Sequence, residues 1–163
     1  MLDMPDRAPF TEDPEDLLRF LALERVSSQW SGFLSVLSTA LSEQLSAAEY
    51  RHFLSRLGER FAAEHPLPSV EGLDALEQAI NAVWLPMRWG YAQLADQGGS
   101  LVVVHRACPL TAALQADADV VGGFLEGVYR VWLSVAGAPP ELSLSQMPDD
   151  GVPMHLAFEL KAI

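Results

Sequence analysis

The sequence predicts an α+β domain: N-terminal helices, then a small antiparallel four-stranded sheet in the chain order β-β-α-β-β, packed against helices. Three observations carry this. Up to about residue 87 the apolar residues recur at helical spacing. From Trp89 onward two stretches alternate with period two, one around "DQGG" and one around "PDDG". A strongly amphipathic segment, residues 120–139, separates them. At 163 residues the chain suits one domain with a sizeable core.

Residues 1–13 are polar, carry Pro5 and Pro9, and read as a flexible acidic arm; residues 14–163 read as the single assembly domain. Asp13 suits an N-cap, with Pro14 at the first helical position and Glu15 and Asp16 near the positive helix end. Leu17, Leu18, Phe20, Leu21 and Leu23 then form a short first helix. A second helix places Trp30, Phe33, Leu34, Leu37, Leu41 and Leu45 on one side. The third opens with Ser46 and Glu49 at capping-box spacing and carries Tyr50, Phe53, Leu54, Leu57 and Phe61 as its apolar stripe, with Pro66 beyond its end. The fourth begins near Glu71 and holds Leu73, Leu76, Ile80, Val83, Trp84 and Met87. Pro86 lacks an N–H, so this helix is expected to stop or kink near Leu85. "WGYAQLADQGGSLVVVHRA" reads as a hairpin. In the last stretch Met154, Leu156, Phe158 and Leu160 alternate with His155, Ala157, Glu159 and Lys161, the pattern of a strand with one wet face.

The helix in "VVGGFLEGVYRVWLSVAGAP" poses a problem. It carries Gly122, Gly123 and Gly127, and each interior glycine costs about 1 kcal/mol relative to alanine. Val121, Phe124, Leu125, Val128, Trp132 and Val135 form one stripe suited to the sheet. Nearly opposite lie Gly123, Gly127 and Ser134, with Arg130 among them. Small residues four apart let another backbone approach. Burial on two sides follows, with the sheet on one and a helix on the other. That helix could belong to the same chain or to a second copy; in the second case Gly123, Gly127, Arg130 and Ser134 are the oligomer contacts. Gly122 lies off both stripes and has no role in this pattern.

Composition narrows the function. Ten basic residues against 22 acidic ones give a charge of −12, which disfavours nucleic acid and anionic membrane surfaces. No run approaches the ~20 apolar residues of a membrane span. The N-terminus lacks the basic start and apolar run of a signal peptide, so a cytoplasmic location is expected, with the periplasm as alternative. The single Cys108 allows no disulfide framework and no cysteine metal site. His52, His65, His105 and His155 form no metal signature, and nucleophile elbows and nucleotide-binding glycine loops are absent. His105 near Cys108 could be a base beside a nucleophile, but the commoner reading is a strand end. Asp149 and Asp150 suit a tight turn. No catalytic residue, metal or cofactor is expected. Trp89, between Pro86 and Gly90, is the tryptophan most open to exposure and to an apolar or sugar-like ligand.

"FLSVLSTALSEQL", "YRHFLSRLGERFA", "LDALEQAINAVWLPMRWG", "SLVVVHRACPL" and "FLEGVYRVWLSVAGAP" resemble, in order and spacing, the cellulose synthase D-subunit family, accessory proteins of bacterial cellulose-secretion operons. The resemblance runs from roughly Trp30 to the C-terminus, and residues 1–29 extend beyond it. It implies a non-catalytic protein with N-terminal helices and a small sheet, assembled as octamers built from dimers. It further implies β-1,4-glucan chains in channels lined partly by N-terminal segments, and the other synthase subunits as partners. A glucan is neutral and flat, with hydroxyls at its rim and C–H groups on its faces. Arg7, Thr11 and Glu12 can hydrogen-bond the rim and Phe10 can cover a face, so these four and Trp89 are the glucan-contact candidates. A second resemblance is to small-ligand regulatory modules of the 4-vinyl-reductase type, which hold an apolar pocket between helices and sheet. The lone cysteine departs from their cysteine-rich metal end.

Overall fold

The computed structural model describes residue 21 and residues 26–162. The arm at 1–13, and all of the expected first helix but Leu21, lie outside the described residues. The elements run α1 (Ser28–Gln44), α2 (Ala47–Glu64), α3 (Leu73–Met87), β1 (Tyr91–Asp96), β2 (Leu101–Arg106), α4 (Leu110–Leu114), α5 (Ala118–Val135), β3 (Leu142–Gln146) and β4 (Leu156–Ala162). The sheet is antiparallel throughout, in the order β1-β2-β4-β3. This is the α+β architecture and the β-β-α-β-β chain order that the alternating stretches predict, with the five-residue α4 added. A helix that short is below the window in which periodicity can be read.

Local chemistry sets several boundaries. The capping box opens α2: the Ser46 hydroxyl accepts from the Glu49 N–H, and the Ser46 N–H donates back to the Glu49 carboxylate at 2.8 Å. In α3 the helix ends two residues beyond Leu85, where Pro86 led the end to be expected. The helix continues through it to Met87 and ends at Arg88 in the left-handed region, φ 58°. A proline in the last turn removes a single N–H bond, and the Trp89 N–H reaches the Trp84 carbonyl at 3.2 Å to close the end. Strand β4 starts at Leu156, two residues later than the alternation allows, because Met154 itself turns with φ 60°. Within the strand Leu156, Phe158 and Leu160 are buried and alternate with more open residues.

Helix α5 is the centre of the domain. Val121, Leu125, Val128 and Tyr129 are fully buried, and Tyr129 packs on Phe158 of β4 with ring centroids 5.7 Å apart. Its opposite face receives α2. A β-carbon added at Gly127 would overlap the Ser55 carbonyl oxygen, and one at Gly123 would meet the Arg51 carbonyl oxygen at 2.5 Å. From the other side Gly58 of α2 lies against the Phe124 carbonyl. Two helices thus meet backbone to backbone at these positions, where a side chain of any size would hold them apart. The two-sided burial expected of this helix is present, and the helix above it comes from the same chain.

Helix α3 covers the β1 edge of the sheet. Asn81 accepts from the Ala92 N–H at 2.7 Å and donates to the Ala92 carbonyl at 2.8 Å. Glu77 accepts from the Leu94 N–H at 2.7 Å. These side chains satisfy outward-facing groups of β1 that would otherwise template pairing with another chain.

Candidate functional site

The residues singled out by sequence do not converge on one site. Arg7, Phe10, Thr11 and Glu12 lie outside the described residues. Trp89 is half-buried rather than open: its ring stacks on Trp84 at 5.8 Å and on Phe61 at 6.2 Å, and it packs against the core. The cause is the tight turn after α3. Gly90 has φ 85° and abuts the Arg106 carbonyl, which folds Trp89 back over the aromatic cluster.

Beneath it His105 is completely buried. Its Nε2 lies 2.7 Å from the Trp89 carbonyl and its Nδ1 2.5 Å from the Tyr129 hydroxyl. A carbonyl only accepts, so Nε2 carries the proton and Nδ1 accepts from Tyr129. Burial holds the ring neutral, pushing its pKa down to about 4 against the smaller opposing effect of the Trp89 bond. Burial likewise pushes the Cys108 thiol up to about 12. The histidine is therefore fully engaged as a core strut, and the cysteine is no thiolate at neutral pH.

The small-residue face of α5 is filled. Gly123 and Gly127 are buried against α2 of the same chain, which leaves no room for a second copy at those two positions. Arg130 bridges the same two helices: it donates to Glu126 at 2.7 Å and to Glu59 at 3.1 Å. Ser134 stays exposed at the end of the row. Gly122 now has a role too. A β-carbon there would overlap the Gln146 side chain, whose Oε1 accepts from Arg51 at 2.6 Å and whose Nε2 donates to the Ala118 carbonyl at 3.1 Å. Gln146 of β3 thereby ties α2 to the start of α5. Gly122 and Gln146 meet only across the fold, so helical angle could not pair them.

Helix α1 departs most from expectation. Of its expected apolar side, Trp30 is 55%, Phe33 59% and Leu37 41% exposed, and Val36 next to them is 70% exposed. On α2, Phe53 and Leu57 are each 41% exposed. The core takes only part of each stripe, because α2 turns Ser55, Gly58 and Ala62 toward α5. One signal was present in the sequence: Val36 widens the apolar arc of α1 beyond what one contact face needs.

Two cavities flank the segment Gln115–Asp117. One, of about 320 Å³, is lined with the hydroxyls of Ser38, Thr39, Ser42 and Tyr50. The other, of about 570 Å³, lies between the α4–α5 segment and the β3–β4 loop. Among the described residues no group of three or more His, Cys, Asp or Glu could hold a metal ion, and no helix is long and apolar enough to cross a membrane.

The family model for the D-subunit of cellulose synthase matches residues 16–158. The match covers most of the chain, and the chain belongs to that family. It begins at residue 16, so the segment 16–29 lies inside the family pattern and not beyond it. No curated protein matches the chain significantly. Membership gives the protein a role in cellulose synthesis, in association with the other subunits of the synthase.

Proposed function

We propose that this member of the cellulose synthase D-subunit family is a non-catalytic accessory protein. It self-assembles through α1 and the adjoining stripe of α2 into an octamer built from dimers, and it guides nascent β-1,4-glucan chains toward crystalline fibrils. The observation that supports assembly is the row Trp30, Phe33 and Leu37, at i, i+3 and i+7 on one helix, left largely in water. Monomeric proteins rarely leave a contiguous apolar patch of that kind uncovered. Buried aromatics are also the residues that dominate interface energies. The non-catalytic reading draws support from His105 and Cys108, the base and nucleophile candidates named above, both buried in the core.

Glucan contact is assigned to the arm residues Arg7, Phe10, Thr11 and Glu12, with the half-buried Trp89 as a subsidiary platform. The pocket needed for a 4-vinyl-reductase type module would lie between α5 and the sheet. Val103, Val128, Tyr129 and Phe158 fill that space with no exposure, which favours the assembly reading.

The test is the size of the particle. Eight chains of 17.8 kDa make about 140 kDa by light scattering. Replacing Trp30 and Phe33 together by glutamate should reduce the mass to a dimer or monomer, with circular dichroism unchanged. A native chain that stays monomeric at micromolar concentration sinks the proposal.

A further inference from the structure

The two edges of the sheet differ. Strands β1 and β3 lie outermost. On β1, Asn81 and Glu77 take up the backbone groups that Ala92 and Leu94 turn outward. Strand β3 has no such cover. The Met147 N–H donates to the Ala157 carbonyl opposite it, which fixes the alternation along this ladder. Ser143 and Ser145 turn their backbone groups toward β4; Leu142, Leu144 and Gln146 turn theirs away. The Leu142 N–H folds back to the Pro139 carbonyl at 3.0 Å. That leaves the Leu142 carbonyl and both backbone groups of Leu144 and Gln146, and among the described residues no hydrogen bond reaches them from outside the sheet. Exposed edges are ordinarily guarded by lysine, proline, a bulge or a covering element. Between Leu142 and Gln146 there is no lysine or proline, and the register with β4 runs unbroken.

Two features say what covers this edge. The first is its symmetry. The strand reads Leu-Ser-Leu-Ser-Gln, nearly the same in both directions about Leu144. An antiparallel copy related by a two-fold axis at Leu144 sets Leu144 against the partner's Leu144, Ser143 against the partner's Ser145, and Gln146 against the partner's Leu142. The two Leu144 residues then satisfy each other's N–H and C=O, and each Gln146 N–H meets the Leu142 carbonyl left free. The leucines stay on the core face and the exposed serines on the wet face in both copies. The second feature is charge. A chain of net charge −12 repels its own copies, so self-contact favours uncharged surface. No charged residue lies between Leu142 and Gln146.

We propose that β3 pairs with β3 of a second copy, antiparallel and in this register, so that two sheets join into one. The pairing stands without the assembly face on α1. Together the two faces allow a particle larger than a dimer, since one two-fold contact closes at two chains.

Amide hydrogen exchange of the full chain, combined with light scattering, tests it. The Leu144 amide should be protected where the chain is paired and lose protection on dilution. Ser143→Lys with Ser145→Lys sets lysine against lysine across the axis, and should weaken pairing by about tenfold with circular dichroism unchanged. Ser143→Glu with Ser145→Lys sets opposite charges across the axis, and beside Lys161 and Glu159 of β4, and should keep the pairing. Trp30→Glu with Phe33→Glu should leave a dimer with Leu144 still protected, which separates this contact from the one on α1. A Leu144 amide that exchanges freely at every concentration overturns the proposal. So does equal protection in the two serine double variants, which would mean that something other than a strand in this register covers the edge. A monomeric Trp30/Phe33 variant with Leu144 unprotected overturns it as well, while leaving the α1 contact standing.

Discussion

Gly127 of α5 and the Ser55 carbonyl of α2 are in direct backbone contact, with no space for a β-carbon between them. Gly123 with Arg51 and Gly58 with Phe124 repeat the arrangement along the same helix pair. The helix penalty of about 1 kcal/mol per glycine is offset by the dispersion contacts that close approach allows. Gly127→Ala is therefore expected to destabilise by about 1–3 kcal/mol, the ordinary range for overpacking. Denaturant titration reads this, and the loss should appear in fold stability before assembly. A variant of native stability would show that α2 and α5 separate at no cost.

His105 makes stability depend on pH. In the folded state burial holds its pKa near 4, against an ordinary 6.5. Below pH 6.5 the unfolded chain takes up a proton that the folded chain refuses. Stability is therefore present in full above pH 6.5 and falls as the pH drops toward 4. At about 1.36 kcal/mol per pH unit, the gap corresponds to about 3 kcal/mol. His105→Gln should be less stable at pH 7 but flatter between pH 6.5 and 4. Parallel profiles for the two proteins would remove His105 as the cause.

Asn81 is expected to matter more than its place on an outer helix suggests. Asn81→Leu breaks both hydrogen bonds to Ala92 and should cost about 1–3 kcal/mol. Hydrogen exchange at the Ala92 amide should speed up. Unaltered exchange would mean that Asn81 does not protect the edge and that the β2 pairing and the Glu77 contact hold the strand.

Deleting residues 1–13 tests the arm. Fold and assembly should survive nearly intact, while binding of short cello-oligosaccharides, followed by NMR shifts, weakens or vanishes. Many weak copies within one particle would multiply this loss through effective concentration. If the truncated protein binds as well as the full chain, the glucan path must run elsewhere, with Trp89 the first residue to replace.

Much of the architecture is written locally. The capping box at Ser46 and Glu49, the turn at Gly98 where Asp96 accepts from the backbone, and the alternation of Leu156, Phe158 and Leu160 each depend on residues a few positions apart. Periodicity and turn chemistry operate over that range, so the α+β class and the order of the elements could be read directly. The sequence also specified that α5 needs two covered faces.

Which partner covers each face was decided by the tertiary structure. Angle places Gly123 and Gly127 on one side of a helix, but only the fold brings Arg51 and Ser55 against them. The same holds for Gly122 with Gln146 and for Asn81 with Ala92. The apolar side of α1 carries the lesson in reverse. Trp30 and Phe33 have the spacing of core residues, yet α2 gives its small face to α5 and leaves them uncovered. Periodicity reports that a face is apolar. Whether protein or water meets it depends on the area that distant elements have left to offer, a quantity that no local pattern contains.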